Sequence, residues 1–227
     1  MPRSPVGTAD QARLRESLVA AGKRLGARGL ISAGEGNISV RLGDETILIT
    51  PSGRRKDELS PADLLVVRIR PGVGSLGAGP MPSSDVAIHR AIYEARTDVM
   101  AVVHAHLPAA MALTLAGEVP DPAALPETAL LLPRLPYIPF ATPGSAELAG
   151  DVARALIEGP DPLPGAVLLE RHGAVAVGAT VDQALDRLEL VEVLCRTWRD
   201  ALLLRGAVGG TGARAILSPP RNSRRDP

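Results

Sequence analysis

The segment 99–106, VMAVVHAH, ends an apolar run in two histidines. A short run rich in valine is typical of a buried β-strand. Side chains alternate between the two faces of a strand, so His104 and His106 point to the same side and can reach one metal ion. A buried strand that merely reaches water at this end explains the pair equally well. The segment therefore predicts a sheet with two histidines at a strand end, and a metal site requires further ligands.

Apolar periodicity predicts strands and helices interspersed along the rest of the chain. Further strands are predicted from about residue 38 and at 46–50, 64–69, 166–169 and 174–177. Helices are predicted at about 9–25, with a capping box formed by Thr8 and Gln11, at 84–95 and 108–115, from Ser145, and at 180–202. Segment 117–144 is rich in proline and is expected to be a loop. The pattern predicts one α/β domain over 8–205, with a mostly antiparallel or mixed sheet flanked by helices, and a flexible tail over 206–227.

Charge and cysteine content narrow the classes of partner. The formal net charge is zero and no cluster of lysine and arginine marks a nucleic-acid surface. The single Cys195 excludes an intramolecular disulfide, which suits a reducing compartment. No stretch approaches the length of a membrane span, and the first residues carry no apolar signal region. We expect a cytoplasmic protein that binds neither nucleic acid nor membrane.

The remaining histidines and one aspartate are candidate partners of the strand pair. His172 is the best third ligand, because it lies between two predicted strands and next to Gly173, which lets the backbone bend. Three protein ligands with one open position are typical of catalytic zinc. His89 lies inside a predicted helix and is more typical of a structural histidine. Asp85 has two interpretations: position alone favours a helix-capping acid, and the alternative is a metal ligand or general acid/base.

Three polar segments have the composition of anion-binding loops. They are 36–39 (GNIS), 50–53 (TPSG) and the helix start at 83–84 (SS). Exposed amides and short hydroxyl side chains can hold a phosphate without a Walker-type lysine. Each segment alone fits an ordinary surface turn equally well. Together they indicate a phosphorylated ligand.

Six motifs in consistent order extend this pattern: GNIS at 36, TPSG at 50, PSSD at 82, HAH at 104, PGS at 143 and RHG at 171. In these motifs the chain resembles the class II aldolase/adducin family, which implies that family's three-layer fold. By this resemblance the zinc ligands, with another divalent metal as the alternative, are His104, His106 and His172. The residues that match the substrate-phosphate ligands are Asn37, Ser52, Gly53, Ser83 and Ser84. Asp85 stands where the family's aldolases place an acid/base glutamate and its epimerases a metal-binding aspartate.

The resemblance implies a zinc-dependent aldolase that cleaves a small ketose phosphate of the fuculose-1-phosphate type through a metal-stabilised enediolate. A sugar-phosphate 4-epimerase, a dehydratase or an oxo-acid phosphate decarboxylase on the same scaffold is the alternative, and a non-catalytic adducin-like interaction module is an alternative of another class. The family's proton donors have no counterpart after Pro120, and Glu127 stands near the place of the aldolase tyrosine. Glu127 is therefore the hypothetical proton donor. Homotetramers are typical of the family.

Overall fold

The computed structural model describes residues 7–70 and 81–208. The helices are α1 (Thr8–Ala27), α2 (Val86–Ala95), α3 (Pro108–Leu115), α4 (Pro126–Leu131), α5 (Ala146–Ala155) and α6 (Val181–Val208). The strands are β1 (Asn37–Arg41), β2 (Thr46–Ile49), β3 (Leu65–Arg68), β4 (Ala101–Ala105), β5 (Tyr137–Ile138), β6 (Ala166–Leu169) and β7 (Gly173–Gly178). None of the described helices combines the length and apolar character that crossing a bilayer requires.

The seven strands form one sheet in the order β3-β2-β1-β4-β7-β6-β5. Every pairing is antiparallel except that of β5 with β6, which is parallel. The predicted mostly antiparallel or mixed sheet is therefore confirmed. β4 lies at the centre, where His104 stands opposite Asn37 of β1 on one side and Val175 of β7 on the other.

Helices cover both faces of this sheet. Val103 belongs to an apolar cluster that includes Leu25 of α1 and Leu188 of α6, whereas Val102 belongs to one that includes Ile88 of α2 and Val152 of α5. Both faces of the sheet are buried at β4, which explains why the sequence of this strand is a continuous apolar run rather than an alternating one. Each fully buried leucine or isoleucine contributes roughly 1.5–3 kcal/mol relative to exposure. Since side chains alternate, His104 of β4 lies on the α2 side of the sheet with Val102.

Several local predictions differ from the structure. Thr8 is the first residue of α1 and Gly7 is its N-cap, without a side-chain cap bond, so the predicted capping box is wrong. Segment 117–144 holds α4 and β5 as well as loop. Pro126 occupies the first turn of α4, where the missing N–H costs nothing, so this proline marks a helix start. α6 continues through Gly206 to Val208, and residues 209–227 of the predicted tail lie outside the described part of the chain.

Candidate metal centre

Four side chains from three elements converge at one end of β4. One ligand atom from each of Asp85, His104, His106 and His172 lies within 4.8 Å of the others. We call this group the histidine–aspartate cluster. His104 lies on β4, His106 just beyond it, Asp85 immediately before α2, and His172 in the turn between β6 and β7. The predicted third histidine thus meets the strand pair, and the carboxylate of Asp85 joins it.

Gly173 allows the β6–β7 turn to approach β4 closely enough for this convergence. Its φ is +96°, in the region that favours glycine. A Cβ at this position would lie 2.1 Å from the carbonyl oxygen of Ala105 and 2.8 Å from Cα of His106. Any side chain would push the turn, and His172 with it, away from the other three members of the histidine–aspartate cluster.

Three atoms of the histidine–aspartate cluster are buried without a hydrogen-bond partner among the described residues: Oδ1 of Asp85, Nε2 of His104 and Nδ1 of His172. Such an atom usually costs about 1–3 kcal/mol. Three together are explained if a cation accepts their lone pairs. Nδ1 of His104 lies 3.0 Å from the carbonyl oxygen of Ala174, which accepts its proton and leaves Nε2 of His104 as the lone-pair donor. The donor set therefore fits a divalent metal ion.

The electrostatic environment keeps the imidazoles in the form that binds metal. Burial lowers the pKa of His104 well below its ordinary 6.5, and the neighbouring His172 and His106 lower it further. Burial, followed by His106, also lowers the pKa of His172, with Asp85 acting in the opposite direction. At neutral pH the rings of His104 and His172 are therefore uncharged, and each offers a lone pair to a cation held beside the carboxylate of Asp85.

The structure favours the site interpretation of Asp85 over the capping interpretation. Asp85 occupies the N-cap position of α2, but its side chain accepts no bond from the helix N–H groups. Its Oδ2 instead lies 3.3 Å from Nδ2 of Asn37 and 3.7 Å from Nε2 of His104. The carboxylate faces the histidines, as the site interpretation requires.

Two of the predicted phosphate-binding residues lie directly beside the cluster. Nδ2 of Asn37 donates to Oγ of Ser83 at 2.8 Å as well as to Asp85, and all three side chains are buried. Both amide hydrogens of Asn37 are thereby engaged within the protein. The Ser83 hydroxyl accepts from Asn37 and can donate its own hydrogen to an anion.

The other three predicted phosphate-binding residues are exposed on adjoining turns. The backbone N–H of Ser52 donates to the carbonyl oxygen of Met81 at 2.9 Å, which joins the TPSG turn to the segment that precedes Ser83. Gly53, at φ +68°, lies against the backbone of Gly34. A Cβ on Gly144 would come within 3.2 Å of the carbonyl oxygen of Ser84, so the PGS turn borders it. These contacts bring the GNIS, TPSG, PSSD and PGS motifs together beside the histidine–aspartate cluster, and we call this group of adjoining turns the mouth of the site.

Sequence reasoning missed two charged residues at this mouth. Oε2 of Glu35 lies 3.4 Å from Nδ1 of His106, while Oε1 accepts from the backbone N–H of Ser32 at 2.6 Å. Lys56 is buried, and its Nζ donates to the carbonyl oxygens of Gly34 and Arg54, each at 2.7 Å. Burial lowers the pKa of Lys56 to about 8, opposed by Glu35. An acid immediately before the GNIS motif was the available sequence signal for Glu35, whereas nothing in the sequence marked Lys56.

Glu127 and His89 lie outside the histidine–aspartate cluster. Glu127 is exposed in the first turn of α4. His89 is fully buried in α2, and its ring nitrogens meet Ser39 and Asn37 rather than the cluster. The structural interpretation of His89 is thus favoured, while Glu127 stays a prediction.

Comparison with known proteins supports the same assignment. The family model described as Class II Aldolase and Adducin N-terminal domain matches residues 16–199. The chain is 36% identical to a 3-oxo-tetronate 4-phosphate decarboxylase of Cupriavidus necator, over 83% of this chain and 84% of that one. It is 36% identical to a 5-methylthioribulose-1-phosphate/5-deoxyribulose-1-phosphate aldolase of Rhodospirillum rubrum, over 82% and 80%. The crystal structure of L-fuculose-1-phosphate aldolase from Thermus thermophilus superposes with a TM-score of 0.74 at 33% identity, covering 86% of this chain and 97% of that one.

The matches extend along the whole fold and include enzymes of several reaction types, so the prediction of a metal-dependent enzyme of this family is confirmed. The chain belongs to the class II aldolase and adducin family.

Proposed function

We propose that this protein is a divalent-metal-dependent lyase that breaks a carbon–carbon bond in a small phosphorylated ketose or oxo acid. The observation that carries the proposal is the set of three buried, unpartnered ligand atoms on Asp85, His104 and His172 beside the Asn37–Ser83 pair. Together they put cation-binding and anion-binding groups within one site. That combination suits a substrate whose carbonyl is activated while its phosphate is held.

His104, His106, His172 and Asp85 are the proposed metal ligands, and three nitrogens with one carboxylate favour zinc. When bound, the ion supplies Lewis-acid chemistry, which polarises a carbonyl and stabilises the negative charge left when the bond breaks. Burial keeps the imidazoles of His104 and His172 unprotonated, and the carbonyl oxygen of Ala174 orients His104.

Substrate phosphate is proposed to bind at the mouth formed by the TPSG turn and the start of α2. Ser52, Gly53 and Ser84 are exposed there, and the Ser83 hydroxyl is oriented by Asn37. Hydroxyl and amide donors at a helix N-terminus favour a dianion. Holding the phosphate fixes the reacting carbons relative to the cluster, so remote binding energy aligns the substrate.

Decarboxylation of a 3-oxo-tetronate 4-phosphate is the first candidate reaction. Loss of CO₂ leaves an enediolate, which one proton converts to dihydroxyacetone phosphate. No base is needed to start this reaction. Aldol cleavage of a fuculose-1-phosphate-type ketose gives the same enediolate, but a base must first take the proton of the hydroxyl that becomes the aldehyde. Asp85 faces the histidines as a proposed ligand, Glu35 contacts the backbone N–H of Ser32 and Nδ1 of His106, and Glu127 is exposed outside the cluster. Aldol cleavage is therefore the second candidate.

Protein purified without a histidine tag tests both levels of the proposal. We expect about one zinc or other divalent ion per chain by elemental mass spectrometry. Incubation with 3-oxo-tetronate 4-phosphate, fuculose 1-phosphate and methylthioribulose 1-phosphate then separates the reactions. Dihydroxyacetone phosphate with CO₂ supports decarboxylation, the same product with an aldehyde supports the aldolase, and loss of water without it indicates a dehydratase. A protein that holds no metal and turns over none of them would exclude the lyase proposal.

We further propose a homotetramer in the cytoplasm. Large apolar side chains on α3, α4 and α6 are exposed in the single chain, such as Leu115, Leu130 and Leu204, with 72%, 77% and 67% of their surface accessible. Such residues are expected at subunit contacts. Light scattering of the purified protein measures the assembly, and a monomer at micromolar concentration would contradict it.

A further inference from the structure

A buried row of polar side chains runs behind the histidine–aspartate cluster. Oγ of Ser39 lies 2.6 Å from Nδ1 of His89, and Nε2 of His89 is in hydrogen-bond contact with Oδ1 of Asn37. Asn37 then reaches Ser83 and Asp85 through its Nδ2. Ser39, His89 and Asn37 each expose 1% of their surface or less. Polar groups buried this completely are normally paired by hydrogen bonds, so each contact in the row matters.

The direction of each hydrogen bond in the row follows from its last member. An ionised carboxylate only accepts, so Asn37 must present its NH₂ group to Asp85 and its carbonyl oxygen to His89. Nε2 of His89 must then carry the proton. Its Nδ1 is consequently bare and accepts from the hydroxyl of Ser39. One tautomer of His89 and one amide orientation of Asn37 satisfy every contact.

We propose that His89 is a positioning residue: its Nε2–H holds the side-chain amide of Asn37 so that the NH₂ group of Asn37 fixes the carboxylate of Asp85 toward the metal. The inference rests on the proposed function of this site. A flipped Asn37 amide would turn an oxygen toward the carboxylate of Asp85, and the two acceptors would repel each other. Substitution of a residue that orients a metal ligand without touching the metal commonly lowers metal affinity by about 10- to 100-fold.

The surroundings of His89 suit this role rather than metal binding. Its neighbours in the row are neutral, and burial lowers its pKa to about 3, so the ring stays uncharged at neutral pH. An uncharged ring is required, because a protonated His89 would present an N–H to the Ser39 hydroxyl and reverse that bond. Oγ of Ser39 also lies 2.9 Å from the hydroxyl of Tyr93, at the end of the row opposite Asp85, so the Nε2–H of His89 does not depend on this contact.

Cobalt titration of the metal-free protein tests the proposal, because Co²⁺ reports its ligand set through visible absorption. His89→Gln keeps an amide N–H near the position of Nε2, whereas His89→Phe removes it with similar volume. Tyr93→Phe is the matched control, since it deletes a buried hydroxyl on the same helix and leaves both contacts of His89 in place. Urea unfolding of each variant shows whether it is folded under the titration conditions.

We expect His89→Phe to weaken Co²⁺ binding about tenfold and to alter the absorption bands, with His89→Gln and Tyr93→Phe close to the parent protein. Equal affinity for the folded His89→Phe variant, or an equal loss in Tyr93→Phe, would overturn the positioning role. If His89→Phe fails to fold, long-range ¹⁵N–¹H correlation spectra of the parent protein decide: a proton on Nε2 supports the proposal, and one on Nδ1 refutes it. Absence of Co²⁺ binding by the parent would instead contradict the proposed metal site.

Discussion

Burial of neutral His89 makes the metal-free protein sensitive to acid. The ordinary histidine pKa is about 6.5 and burial lowers that of His89 to about 3 in the fold. Between about pH 6.5 and pH 3, His89 binds a proton in the unfolded chain but not in the folded chain. The free energy of unfolding therefore falls as the pH drops through this range. By the linkage relation, protonation of His89 in the unfolded state lowers the free energy of unfolding by about 2 kcal/mol at pH 5.0.

Comparison of the parent protein with His89→Gln isolates the contribution of His89 to the pH dependence of the free energy of unfolding. Urea unfolding of the metal-free parent and of His89→Gln at pH 7.5 and pH 5.0 gives four free energies. His104 and His172 also refuse protons when folded, but both proteins contain them, so their contributions cancel to first order. We expect the parent to lose about 2 kcal/mol more than the variant between the two pH values. Equal losses would show that His89 is protonated in the fold, and the account of its burial would be wrong.

Other perturbations address the cluster and its supports. Gly173→Ala introduces a Cβ 2.1 Å from a carbonyl oxygen, so we expect a loss of more than about 2 kcal/mol in urea unfolding together with weaker zinc binding; a folded variant with parental affinity would contradict the close approach. Chelation of a metal present at 1,000 times its Kd should remove about 4 kcal/mol and lower Tm by roughly 10 °C, and an unchanged calorimetric Tm would argue against a bound ion. Asp85→Asn should weaken zinc by more than roughly 100-fold in a chelator competition, since a ligand rather than its support is lost, and parental affinity would remove Asp85 from the ligand set. Lys56→Met should cost about 1–3 kcal/mol in urea because two partly buried carbonyl oxygens lose their donor, and a neutral outcome would mean that water replaces it.

Local pattern and long-range contact differ in what they allow one to predict. The strand that carries His104 and the helix start at Ser145 were predictable, because periodicity and capping are local signals; Ser145 does accept from the backbone N–H of Leu148. The two-residue β5 was not, since no periodicity develops over two residues. The orientation of Asp85 was equally hidden, because it depends on Asn37 and His104, which other strands bring to it.

The same distinction applies to the charged supports of the site. The partner of Glu35 is His106, which is distant in the chain, and Lys56 contacts carbonyl groups that lie in loops. Neither contact can be predicted from local sequence. His89 was recognised as structural from its place in a helix, but the partners that give it a role belong to β1. The family resemblance supplied the ligand set, whereas the contacts behind the ligands came from the structure alone.

The central place of β4 also has a consequence for synthesis. β4 needs β1 on one side and β7 on the other, and β7 follows it by about a third of the chain. While the ribosome is still making α5 and β6, β4 has unpaired N–H and C=O groups along one edge and mostly apolar side chains, and an edge of this kind can pair with other chains. Pairing of β7 with β4 then covers that edge. The same step brings His172, in the turn before β7, close to His104 and His106. The proposed ligand set of a nascent chain is therefore complete only once this edge of β4 is paired.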